Sequence, residues 1–308
     1  MSRMVRNNFL GVERMPTEHG AVKLERVPRA DKLNLLRDII HLLNQMDGVS
    51  GTRRLFYETR RQVTKPEIDF SVESTFNDYL AAGDKLGLIM VTNTSAKILD
   101  KGKRLIAISR FGESKLGDKE KSLLKSLLLA YEPFRAFLGT GFCNGRAFLN
   151  EDELFSYAKC PRREEIIKAY MQTKRQDTDR EARTLLGWGS QIGLTEFDEY
   201  SEHYYLIREQ EVDLDSFLGT LREVYDDVRH PRTRIASVPE VRFRFCCSMN
   251  MQRQVFDNYL LQLFETKPLQ VQLARGTTSR DEVLKFGIKG KRFYYYYIKL
   301  ADVNVNEK

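Results

Sequence analysis

The chain has 308 residues, of which 42% are hydrophobic and 11% aromatic, enough to fill two or three modules with their own cores and to exclude wholesale disorder. No apolar run approaches the roughly 20 residues of a membrane helix, and the opening MSRMVRNNFLGVERM lacks a secretory apolar stretch; a soluble, cytoplasmic chain without a membrane partner is expected. The net charge of +7 is unevenly spread: residues 209–228 hold Arg222 against seven acids, whereas 229–299 hold fourteen Lys/Arg against five, an asymmetry that points to a polyanionic partner.

Residues 1–30 show no sustained period and read as an N-terminal arm. From Asp31 the pattern sharpens. DKLNLLRDIIHLLNQMDG sets Leu33, Leu36, Ile39, Ile40 and Leu43 on one helical stripe, capped by Asp31 and closed by Gly48. TRRLFYETRRQ gives a second helix, and SVESTFNDYLAAGDKLG (71–87) a third, burying Phe76, Tyr79, Leu80 and Leu86. Two short strands, LIMVT (88–92) and AKILD (96–100), follow, and KGKRLIAI continues as helix or strand.

The order then recurs. GDKEKSLLKSLLLAYEPFRAFLG (117–139) reads as one long amphipathic helix, and LNEDELFSYAKC (149–160) as a shorter one capped by Asn150. PRREEIIKAYMQT starts a helix at Pro161. TDREARTLLGWGSQIG (178–193) buries Ala182, Leu185, Leu186 and Ile192, with Trp188 in the core or at a module contact. LTEFD and HYYLI form a hairpin around EYSE. A third pass runs through VDLDSFLGTLREVYDDVR (212–229), SVPEVRFRFCCS (237–248) and NMQRQVFDNYLLQLFE (250–265), the last capped by Asn250 with Val255, Phe256, Tyr259, Leu260 and Leu263 inward. LQVQLAR (269–275) reads as a strand, GTTSRDEVLKFGIKGK as a long polar loop, and RFYYYYIKL as the returning strand. In that strand Phe293, Tyr295 and Tyr297 share one face, and Tyr294, Tyr296 and Ile298 the other. One set covers the module's core.

The expected fold class is mainly α with short β-hairpins, arranged as tandem winged-helix modules over 31–115, 116–208 and a basic 209–308. The LIMVT…KILDKGKRLI segment resembles the wing and exit of winged helix-turn-helix DNA-binding domains, as does 238–275 with its two helices and following strand. The layout is similar to the recognition regions of type IIS restriction endonucleases and to accessory proteins of prokaryotic defence loci. That resemblance implies a double-stranded DNA partner and a role in restriction, antiviral defence or transcription regulation. The alternative is a protein-interaction scaffold, with modules 1 and 2 meeting protein partners.

In helix-turn-helix docking the second helix enters the major groove and its first turns reach base edges. In the third module this singles out Asn250, Gln252, Arg253, Gln254 and Asn258, because Asn and Gln pair with adenine and Arg with guanine. Arg229, Arg232, Arg234, Arg242 and Arg244 suit phosphates. The wing adds Arg275, Arg280, Lys285, Lys289, Lys291 and Arg292. In the second module Arg180, Arg183 and Thr184, preceded by Lys174 and Arg175, interleave with Asp177, Asp179 and Glu181, as helix-surface ion pairs also do. In the first, Glu73, Asp78 and Asp84 would repel phosphates, and Arg53, Arg54, Arg60, Arg61 and Lys65 sit one helix earlier.

No catalytic constellation emerges, and no enzyme activity or cofactor is expected. Glu67 with Asp69, and Asp281 with Glu282 and Lys285, read as exposed loop charges without the clustered carboxylates of a metal nuclease. GTGFCNG (139–145) lacks the lysine of a phosphate loop and reads as a flexible turn. Cys143 and Cys160 have no nearby histidine in sequence. Cys246 and Cys247 read as buried free thiols, and four scattered histidines argue against zinc.

Overall fold

The computed structural model describes residues 27–63, 73–174, 179–276 and 278–301. The chain is mainly helical, with small antiparallel sheets. Helix α1 (Leu33–Gln45) buries the whole stripe from Leu33 to Leu43. Its N-cap is Lys32, not Asp31; the Asp31 carboxylate lies one position too early and accepts from the Tyr79 hydroxyl at 3.1 Å. Gly48, at φ +75°, turns the chain into β1 (Val49–Gly51), which leads to α2 (Thr52–Gln62), α3 (Glu73–Lys85), β2 (Ile89–Val91) and β3 (Ser95–Ile98). The two predicted strands are joined by β1, which three residues of VSG could not announce. β3 lies between β1 and β2, with Ala96 opposite Ser50 on one side and Val91 on the other. KGKRLIAI is helical, as α4 (Asp100–Ile108).

The expected long helix 117–139 is two, α5 (Asp118–Ala130) and α6 (Glu132–Phe142). Pro133 explains the break: its ring fits a helix's first turn and has no N–H to continue the one before. Tyr131 between them is extended. The first half of GTGFCNG finishes α6, and the turn comes only at Asn144 and Gly145, both at positive φ. Next come α7 (Glu151–Tyr157), whose Asn150 cap accepts from the Glu153 N–H at 2.9 Å, α8 (Arg163–Lys174), α9 (Asp179–Gln191), β4 (Thr195–Asp198) and β5 (His203–Leu206). Arg162 bridges His203, so a third strand here shrinks to one residue.

The last third comprises α10 (Leu214–Val228), β6 (Ala236–Ser237), α11 (Val238–Met249), α12 (Arg253–Thr266), β7 (Val271–Ala274), α13 (Arg280–Phe286), β8 (Ile288–Lys289), β9 (Tyr294–Tyr295) and β10 (Tyr297–Leu300). β10 lies between β6 and β7, again the first–third–second order. The expected polar loop after β7 holds α13, capped by Ser279. The expected single aromatic strand is divided: Tyr294 and Tyr295 pair with β8, and the chain after Tyr296 pairs with β6 and β7. Tyr296, Ile298 and Leu300 share the buried face.

Buried residues from Val27 to Leu206 join in one hydrophobic cluster, and those from Tyr205 to Leu300 in a second. Within the first, Arg37 is fully buried and donates to Asp38, to Glu120 at 3.2 Å and to the Glu113 and Lys115 carbonyls. That one side chain ties α1 to the 113–120 segment. Cys160 and Cys247, both packed on the second cluster, form a disulfide across 87 positions. This corrects the expectation of a free thiol at Cys247. Neighbours on a helix point about 100° apart, so Cys246 goes into the core while Cys247 turns toward Cys160.

Candidate nucleic-acid interface

Helix α12 follows α11 after a sharp turn at Asn250, which is left-handed (φ +49°) and ends α11 instead of capping α12. Its carbonyl accepts from the Arg208 N–H at 2.7 Å, and the Arg253 N–H donates to Glu196 at 3.0 Å. Asn250 and Arg253 are half-buried. The first turn of α12 is thus docked against β4 and the segment after β5, because Met251 is drawn into the core. Farther along, Phe256, Leu260 and Leu263 are buried, and Val255 and Tyr259 half-buried, against α10 and α11. The outward crest keeps Gln252, Gln254 and Asn258 exposed. Gln254 donates to Asn258 at 3.2 Å, and the exposed Gln262, outside the expected set, extends the crest at the same four-residue spacing that the sequence itself carries.

Arg242 needs correction. It is buried, its guanidinium donates to both Asp257 oxygens at 3.1 and 3.2 Å, and it reaches the Phe286 carbonyl at 2.8 Å. Arginine at that point of α11 faces inward, so it pins α11 to α12 and α13 and offers nothing to phosphates. Burial pushes the Asp257 carboxyl above its ordinary range, against the pull of Arg242. Arg244, two residues and about 200° further round the helix, is exposed and pairs with Glu240 at 2.6 Å. Arg229 pairs with Asp226 at 2.7 Å. Arg232 and Arg234 are exposed in the following loop, where the Arg234 carbonyl accepts from the Tyr225 hydroxyl.

The segment between β7 and β10 carries the remaining cations. It folds back on α12: the Phe264 and Tyr295 rings meet at 5.3 Å, and Lys291 pairs with Glu265 at 2.8 Å, which raises the lysine's pKa. Arg275 lies 3.7 Å above the Phe293 ring, and Lys285 over Phe286, whose ring meets Tyr200. Arg280, Lys285, Lys289 and Arg292 are exposed, and none forms an ion pair among the described residues. Asp281 and Glu282 form the first turn of α13, where Glu282 accepts from the Tyr296 hydroxyl at 3.2 Å. Of the five consecutive aromatics, Phe293 stays exposed with Arg275 over its ring, Tyr295 meets Phe264, and Tyr296 and Tyr297 meet edge to face.

The other expected positions are dispersed. Arg53, Arg54, Arg60 and Arg61 are exposed on α2, and Arg61 pairs with Glu58. Glu73 and Asp84 are exposed and Asp78 half-buried on α3. On α9, Arg183 pairs with Asp179 while Glu181 and Thr184 are buried. Lys65, Glu67, Asp69, Arg175 and Asp177, with the side chain of Lys174, lie outside the described residues. Among the described residues no cluster of His, Cys, Asp and Glu could hold a metal ion, and no helix is long and apolar enough to cross a membrane. Comparison of the chain with protein-family models, curated proteins and solved structures returns no match.

Proposed function

We propose that the chain binds double-stranded DNA without catalysing a reaction on it. The C-terminal third is read as a winged helix: the crest of α12 lies at the groove and the segment between β7 and β10 holds phosphates. One observation carries this reading: the neutral crest of Gln254 and Asn258 stands on the helix against which a segment with four exposed, ion-pair-free cations is packed. The recurring first–third–second sheet order supports it, reached by helix, strand, two helices and two strands around β3 and by the same order with α13, β8 and β9 inserted before the last strand around β10. Because Arg253 at the start of α12 is docked, affinity comes mainly from phosphates, with base contacts limited to the outward crest of Gln254, Asn258 and Gln262.

The test is a mobility shift with a mixed-sequence duplex across a salt series. Affinity should fall steeply with salt, and the triple variant Arg280→Glu, Lys285→Glu, Arg292→Glu should flatten the log–log slope by about 2–3. A wild-type chain that leaves the duplex unshifted at about 50 mM salt, where phosphate contacts are strongest, sinks the proposal. The scaffold reading would then stand, favoured by that docked start of α12 and by Glu223, Asp226 and Asp227 exposed along α10.

A further inference from the structure

The geometry points to a second anion site, in the N-terminal half, that takes a chain of phosphate groups. It is independent of the interface on α12. Helix α9 is laid against the approach to α1: Trp188 Nε1 donates to the Ala30 carbonyl at 2.5 Å, Gln191 Nε2 to the Asp31 carbonyl at 2.6 Å, and the Leu33 N–H donates to Gln191 Oε1 at 2.8 Å. This docking leaves a groove of about 960 Å³ between residues 29–34, Thr75 of α3, the 114–121 segment and α9. Arg29, Lys32, Lys115, Lys121, Arg180 and Arg183 line it, against one carboxylate, Asp31, among the described residues.

Lys121 pairs with Asp118 at 3.3 Å and Arg183 with Asp179 at 2.6 Å, and Lys32 also has an interaction of its own. Arg29, Lys115 and Arg180 form no ion pair among the described residues. They come from three distant stretches of sequence, so no helix-face pairing explains their meeting; the tertiary fold concentrates positive potential there, and a multivalent anion relieves it. Arg180 also stands in the first turn of α9, the positive end of its dipole.

What lines the groove also narrows the ligand. The amide of Asn34 is spent on the Ser114 carbonyl and the hydroxyl of Thr184 on the Arg180 carbonyl. Among the described residues no aromatic ring lines it, and the one large apolar side chain there, Leu116, is buried. Neither base stacking nor edge readout is provided. What remains is charge recognition of successive phosphates, whether in a free polyphosphate or in a nucleic-acid backbone.

The experiment titrates the full chain with inorganic tripolyphosphate and, separately, with a short single-stranded oligonucleotide at about 50 mM salt. The variants are Lys115→Ala with Arg180→Ala, both exposed in the wild type, and the Arg280, Lys285, Arg292 triple described above. Tripolyphosphate affinity reduced about tenfold or more in the first variant and retained in the second supports the site with a free phosphate chain as its ligand. The same pattern with the oligonucleotide alone assigns the site to a nucleic-acid backbone. Absence of binding by both ligands, or affinities indifferent to Lys115 and Arg180, overturns the inference. Failure of the α12 reading registers separately, in the duplex shift and the triple variant. Unchanged thermal melting of the Lys115, Arg180 variant confirms that its fold is intact.

Discussion

Arg242 shows why residue type alone misassigns a role. In sequence it belongs to a basic run; in the fold it is buried against Asp257 and the Phe286 carbonyl. Removing one member of a buried pair strands the other, so Arg242→Met should cost about 3–5 kcal/mol in urea unfolding. Adding Asp257→Leu should recover much of that loss, because the stranded charge goes too; a double variant no better than the single would refute the pairing argument. His41 gives a pH prediction. Its ring contacts the Ser109 hydroxyl at 2.8 Å, and its pKa is lowered from 6.5 by burial first and by Arg37 second, against the opposing pull of Asp38 and Glu120. Between the lowered value and 6.5 the unfolded chain binds more protons than the folded one, so stability rises with pH through that window and is lost as pH falls. Unfolding midpoints of His41→Gln should follow a shallower slope there than wild type, and parallel slopes would contradict it.

At the scale of elements, periodicity found helices well, because a buried stripe repeats over several turns. It failed where a single residue intervened: Pro133 divides a continuous apolar pattern into α5 and α6, and Ser279 starts α13 in a stretch otherwise read as loop. Strands of two or three residues, such as β1 and β6, carry no period at all and exist only because β3 and β10 offer them backbone partners. Close approach between elements is equally invisible. A Cβ on Gly102 of α4 would stand 2.2 Å from the Leu88 carbonyl oxygen, which is backbone and has little room to retreat. Gly102→Ala should therefore destabilise the first cluster by roughly 1–3 kcal/mol through overpacking. Thermal melting reads this directly, and an unchanged midpoint would show that α4 can move away from β2 without loss.

For the whole molecule, the Cys160–Cys247 disulfide ties the turn between α7 and α8 to α11, with both cysteines packed on the second cluster. Opening it with a thiol reductant should lower stability by about 2–4 kcal/mol, as expected for a long closed loop. Denaturant unfolding with and without reductant tests this, and Cys247→Ser should reproduce the reduced state; indifference to both would leave the tie without energetic weight. The candidate interface was partly legible. The cations of 275–292 and the polar crest of α12 could be read from composition and four-residue spacing, both local properties. Legible too were the mainly helical class and the stripe of α1, since burying an apolar face requires a repeat that the chain itself displays. Only the tertiary structure decided that Arg242 turns inward, that Asn250 ends one helix instead of starting the next, and that Arg29, Lys115 and Arg180 converge on one groove. Those outcomes depend on which distant backbone or side chain arrives alongside, and a local sequence pattern holds no record of it.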